Sequence, residues 1–123
     1  YQDEGGVWTI GYGHTGPDVV KGLKITRDQA ENLLSQDIAP LVLALNKMVT
    51  GSFLFRQQEF DSLVSLTFNI GLAAFKKSTL LKVFIADDIR ETARQFGRWI
   101  YVKKKVSVGL VRRRVDEIIQ FLT

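Results

Sequence analysis

The chain has 123 residues, a formal net charge of +4 and no cysteine. With 46% apolar and 24% charged residues it reads as one ordinary globular domain. Disulfide frameworks, zinc–cysteine centres and thiol catalysis are excluded, and no apolar run approaches the ~18 residues of a membrane span.

The charge is uneven. Residues 1–75 hold five Lys or Arg against eight Asp or Glu, whereas residues 76–123 hold twelve against five. A basic second half suggests an anionic partner: nucleic acid, an anionic membrane surface or an anionic wall polymer. The plainer reading is a solvated surface with a basic bias.

Residues 1–25 are glycine-rich and β-prone. Val7 to Tyr12 alternates, with Trp8, Ile10 and Tyr12 on one face, and Gly5-Gly6 reads as a tight turn. A small antiparallel sheet or hairpin is expected there. At Thr26 the period changes. Thr26-Arg27-Asp28-Gln29 is a capping box, followed by apolar residues at steps of three and four from Ala30 to Met48. This predicts one long helix, kinked at Pro40 but not ended by it. Shorter helices follow: Arg56 to Asn69, stopping at Gly71; one capped by Ser78; one capped by Asp87 or Asp88 and running through Phe96 and Trp99. Lys103-Lys104-Lys105 marks a loop. A last helix opens at Val108 or Gly109 with Leu110, Val111, Val115, Ile118, Ile119 and Leu122 as its apolar residues. The class is α+β within a single domain: a β lobe over 1–25, a connecting helix over 26–49 and a helical lobe over 50–123.

Three constellations could carry chemistry. Asp3 precedes the Gly5-Gly6 turn and Thr9 follows it, so on a hairpin they can face each other across the ladder. A carboxylate and a hydroxyl that converge hold and polarise one water, which is half of a hydrolytic site. His14, the sole histidine, makes no metal site or relay alone. Asp37 lies near the apolar stripe of the long helix and needs a partner there. Their pairing, in a structural role, is predicted. Arg112-Arg113-Arg114 lies on a helix, where successive residues point about 100° apart. One or two of the three should face a cleft or carboxylate, which argues against a nucleic-acid patch. There is no phosphate-binding glycine loop and no pair of metal-ligand motifs.

These pieces stand in a familiar order. Tyr1-Gln2-Asp3 leads to Trp8-Thr9-Ile10-Gly11-Tyr12-Gly13-His14-Thr15, then Ile25-Thr26, Gln29-Ala30-Glu31, Leu33-Leu34 and Asp37. Gln58, Phe60 to Ser65, Phe68 to Gly71, Ser78 to Leu81, Phe96, Arg98-Trp99 and Gly109 to Arg113 follow. Over essentially its whole length the chain resembles the bacteriophage lysozymes, or endolysins, of glycoside hydrolase family 24. The resemblance implies a lysozyme-like fold. It also implies cleavage of the β-1,4 bond between N-acetylmuramic acid and N-acetylglucosamine in bacterial peptidoglycan. Asp3 and Thr9 match the family's catalytic aspartate and threonine, which position the attacking water and give inversion. Phe68, Asn69 and Trp99 match cleft-lining positions. One of Arg112 or Arg113 matches a basic residue near the acid. No cofactor or metal is implied, the partner is peptidoglycan rather than a specific nucleic acid, and a monomer is expected. The protein would be made in the host cytoplasm and act on the cell wall.

The family's general acid is a glutamate nine residues before the aspartate, a position ahead of Tyr1. The sequence reads as the remainder of something longer, and residues 1–123 alone are expected to lack the acid and the helix that carries it. The alternative this raises is a non-catalytic module that holds peptidoglycan without cutting it. A nucleic-acid-binding protein using the basic half is a third reading, without base-stacking aromatics beside the arginines.

Overall fold

A computed structural model describes residues 1–49 and 55–123. The chain forms two compact units, Tyr1–Pro40 and Leu41–Thr123, and α1 (Arg27–Val49) runs through the boundary. Its capping box is in place. The Thr26 hydroxyl accepts the Gln29 N–H at 3.1 Å, and the Thr26 N–H donates to the Gln29 side chain at 2.8 Å. Two orphan donors of the first turn are thereby satisfied. Pro40 lies inside α1 and does not end it.

In the first unit the expected small antiparallel sheet or hairpin takes the hairpin form, reduced to the isolated antiparallel bridges Gln2↔Trp8 and Ile10↔His14. The reason lies in the glycines. Gly6, Gly11, Gly13, Gly16 and Gly22 all take positive φ, so the chain turns before a ladder can extend. Gly11, at φ +64°, also sits against α1. A Cβ built on it would lie 3.1 Å from the Ala30 Cβ.

The second unit is helical: α2 (Gln57–Ile70), α3 (Leu72–Lys77), α4 (Thr79–Ile85), α5 (Ile89–Phe96) and α6 (Val108–Leu122). Ser78, Asp88 and Ser107 cap α4, α5 and α6 by accepting a backbone N–H three residues on. Gly71, at φ +93°, ends α2 as expected and starts α3, which the sequence pattern did not announce. α5 stops at Phe96, short of Trp99. The expected start of the helical lobe at residue 50 lies outside the described residues.

The Lys103-Lys104-Lys105 stretch, expected as a loop, instead carries the two-stranded sheet. β1 (Tyr101–Val102) pairs antiparallel with β2 (Lys105–Val106), Tyr101 opposite Val106 and Val102 opposite Lys105. Lys103 and Lys104 are the two loop residues, at φ +50° and +67°. Positive φ at both is the type I′ geometry that matches strand twist.

The core of this unit is aromatic and aliphatic: Leu45, Val49, Phe60, Leu63, Leu66, Phe75, Leu80, Phe84, Phe96 and Phe121 are among its buried members. Phe84 and Phe96 both pack on Phe121, with ring centroids 6.0 and 5.6 Å away. α6 buries a face shifted from the one its apolar residues suggest: Ile118 packs on the core and Leu110 and Val111 are half-buried. Arg114, Glu117 and Phe121 point inward, while Val115, Ile119 and Leu122 stay exposed. Mostly helical with one small antiparallel sheet, the chain is α+β, as the sequence indicates. Among the described residues no helix is long and apolar enough to cross a membrane.

Candidate active site

In the first unit, the opening residues form a short hairpin. Asp3 donates its N–H to the Val7 carbonyl at 2.9 Å, and its Oδ1 accepts the Val7 N–H at 2.8 Å. The Gly6 N–H closes the turn onto the Asp3 carbonyl at 2.9 Å. Tyr1 and Thr9 exchange backbone hydrogen bonds at 2.8 and 3.0 Å. Asp3 thus stands opposite Val7, and Thr9 opposite Tyr1. Across the ladder, Asp3 and Thr9 are diagonal neighbours on one face of the hairpin. Such diagonals lie about 7–8 Å apart between backbones, enough to admit a small molecule between side-chain tips.

Both side chains are anchored to the backbone of one residue, Val7, through its two flanking peptide units. Asp3 takes the Val7 N–H, and the Thr9 hydroxyl donates to the Val7 carbonyl at 3.0 Å. Thr9 is buried and Asp3 exposed. With its proton committed, the Thr9 oxygen is left as an acceptor, and the second carboxylate oxygen of Asp3 is a second one. These two oxygens are acceptors to which a water could donate its hydrogens.

Five residues further on, His14 makes the predicted pair with Asp37 of α1, Nδ1 to Oδ2 at 2.8 Å. The sequence reading missed its second partner. Gly16-Pro17-Asp18 turns back so that the Asp18 Oδ2 lies 3.0 Å from Nε2. Both ring nitrogens therefore meet a carboxylate, the geometry of an imidazolium. The Asp37 and Asp18 carboxylates raise the His14 pKa above its usual 6.5, and the hydrogen bond to His14 lowers that of Asp18. The Ile10↔His14 bridge ties this network to the strand that carries Thr9.

In the second unit, Phe68 is half-buried and Asn69 exposed at the end of α2. Trp99 lines a pocket of about 330 Å³ with Lys77, Ser78, Thr79, Gln95 and Arg98 among its walls. An aromatic ring beside amides, hydroxyls and cations suits a sugar bearing amide and carboxylate groups. Phe68 and Asn69 do not line that pocket.

Arg112 and Arg113 are exposed on α6, and it is Arg114 that turns inward. Its Nη2 donates to Glu117 Oε2 at 3.1 Å, and Nε approaches Oε1 at 2.7 Å, a charge contact without hydrogen-bond alignment. The Ser65 hydroxyl of α2 donates to the same Oε2, and Arg114 Nη1 reaches the Trp99 carbonyl at 3.5 Å. Burial pushes the Glu117 carboxyl up, with Ser65 and Arg114 pulling it down. This pair joins α2, α6 and the residue that lines the pocket. The i, i+3 spacing of Arg114 and Glu117 was the signal for it. Among the described residues no group of three or more His, Asp or Glu side chains is placed to hold a metal ion.

Residues 1–117 match the family model described as phage lysozyme. The chain is 40% identical over 116 residues to an endolysin of Bacillus phage B103, covering 94% of this chain and 43% of that protein. It thus spans less than half the length of that relative. Among solved structures, the endolysin from Escherichia coli O157:H7 phage FAHEc1 superposes with a TM-score of 0.85 at 40% identity, over 99% of this chain and 80% of that one. The muramidase domain of SpmX from Asticaccaulis excentricus gives the same TM-score at 36% identity, over 100% of this chain and 84% of that one.

Proposed function

The chain belongs to the phage lysozyme family and has its α+β fold; on that premise we propose that the protein is a muramidase, hydrolysing the β-1,4 bond between N-acetylmuramic acid and N-acetylglucosamine in bacterial peptidoglycan. The observation that supports this reading best is the placement of Asp3 and Thr9. They share one hairpin face, are both anchored to the Val7 backbone, and leave two acceptor oxygens for one water.

Asp3 is the base and Thr9 the second holder of the water. As the glycosidic bond breaks, positive charge develops at the anomeric carbon. The Asp3 carboxylate takes a proton from the attacking water while the water oxygen bonds to that carbon. The leaving sugar oxygen needs a proton from an acid on the opposite face. The family pattern puts that acid nine residues ahead of Asp3, a position outside residues 1–123, so no residue described here is given that role. Direct attack by water on the face opposite the leaving group inverts the anomeric centre. The role of His14 and Asp37 is to fix the strand behind Thr9. Trp99, with Phe68 and Asn69, contributes to glycan binding, and Arg112 and Arg113 supply positive charge for the stem-peptide carboxylates. The protein is made in the host cytoplasm and acts on the wall in host-cell lysis.

Product analysis tests this reading. Digestion of purified peptidoglycan by the intact protein should release fragments ending in reducing N-acetylmuramic acid. Their first-formed anomer, followed by proton resonance, should be α, since the bond cut is β. A β first product, or reducing N-acetylglucosamine ends, would contradict it.

A further inference from the structure

The β1–β2 hairpin is not used by the chemistry above, and it has unusual composition for its geometry. Its loop residues, Lys103 and Lys104, both take positive φ, where Asn-Gly is favoured and a Cβ is penalised. Lys105 follows at once, and all three lysines are exposed. None of the three forms an ion pair among the described residues. Residues 92–115 hold eight Lys or Arg and no Asp or Glu, so nothing in the neighbouring sequence neutralises them.

Beside this charge lies apolar surface. Tyr101 and Val106 are cross-strand partners, hence on one face, and each is 57% exposed. Val108, just past β2, is 67% exposed. A polyanionic polymer would engage the lysines but would leave the tyrosine and valines in water. A lipid bilayer accounts for both. Tyr suits the headgroup boundary, valines enter the acyl edge, and lysines reach back to phosphates.

We propose that this hairpin is a docking element for an anionic lipid surface, with Tyr101, Val106 and Val108 entering the interface and Lys103 and Lys104, at the turn, meeting lipid phosphate groups. The inference is independent of the hydrolytic reading. It places the protein at a membrane face through a contact of shallow depth, released by salt.

The test is sedimentation of the purified protein with vesicles of phosphatidylglycerol and phosphatidylcholine, against vesicles of phosphatidylcholine alone. Binding is expected only to the anionic vesicles. The informative variant is Lys103→Asn/Lys104→Gly, because it suits the type I′ turn better than the native pair and so keeps the hairpin folded. At about fivefold per lysine, its partition should fall about 25-fold. Tyr101→Ser/Val106→Thr should also weaken vesicle binding, while leaving binding to soluble polyphosphate unchanged. Turnover on purified peptidoglycan, which holds no lipid, should be unaltered by Lys103→Asn/Lys104→Gly. Unchanged vesicle partition in that variant would overturn the proposal. So would equal loss of vesicle and polyphosphate binding in the Tyr101/Val106 variant, which would identify an anionic polymer as the partner.

Discussion

Replacing Asp37 by asparagine removes a charge from the His14 network while keeping the side chain's shape. The His14 side chain is 14% exposed and that of Asp37 27%, so their 2.8 Å contact is only partly screened. A hydrogen bond between charged partners contributes about 1.5–3 kcal/mol, and this exposure places the pair near 2 kcal/mol. For a chain of this size that is a fall in Tm of about 6–10 °C. The sign of the pH dependence follows from the directions of the shifts. His14 has a folded pKa above the usual 6.5, so its stabilising contribution is complete below that value and is lost as pH rises through the raised one. The Asp18 pKa is lowered, so its contribution is present above the usual 3.8 and is lost as pH falls. Maximum stability from this network therefore lies between about pH 4 and 6.5. Thermal unfolding by circular dichroism from pH 4 to 9 should show the Asp37→Asn deficit largest near pH 5.5 and shrinking above pH 7. Asp18→Asn should act in the same direction with a smaller effect, because Asp18 is exposed. A deficit that is constant across this range would refute the charged-pair argument.

Other outcomes rest on separate features. Arg114→Met should cost about 3 kcal/mol in chemical denaturation, because it leaves the buried Glu117 without its counter-charge. Adding Glu117→Leu to it should restore much of that loss; a double variant as unstable as the sum of the singles would contradict the pairing. Gly11→Ala should destabilise by about 1–2 kcal/mol, since the backbone is at φ +64° and the new Cβ meets Ala30. Lys103→Asn/Lys104→Gly should raise stability by about 1 kcal/mol by relieving two left-handed residues. A lowered denaturation midpoint in that variant would argue against the type I′ turn.

Much of the helical framework was legible because it is written in local chemistry. The capping box at Thr26, the caps at Ser78 and Asp88, and the stop at Gly71 are short-range devices that act as their residue types dictate. The His14–Asp37 pair was legible for another reason: a carboxylate near an apolar stripe requires a partner, and few residues could supply one. What was lost depends on tertiary context. The apolar residues of α6 point to one face, but the Arg114–Glu117 pair with Ser65 shifts the inward face, which keeps Ile118 against the core and leaves Val115, Ile119 and Leu122 exposed. A buried charge pair looks like surface in a hydrophobicity pattern. Of the sheet or hairpin expected at the N-terminus only the hairpin forms, because glycines at positive φ interrupt the alternation. The lysine hairpin was missed because its turn lacks Asn or Gly, the usual sign of positive φ. In the candidate site, Asp3 and Thr9 were found by spacing and resemblance, whereas their diagonal placement follows from a register that the turn fixes. Asp18 was missed because a residue in a Gly-Pro-Asp turn reads as turn chemistry alone.

The most direct measurement is the initial rate of reducing-end release from purified peptidoglycan by the intact protein and by its Asp3→Asn variant. Asp3 is exposed, and an asparagine oxygen can still accept the Val7 N–H, so both should unfold at nearly the same temperature. The account predicts a rate lower by a factor of about 100 or more, the loss typical of a positioned base. Wild-type rates in a folded Asp3→Asn protein would contradict it and remove Asp3 from the site.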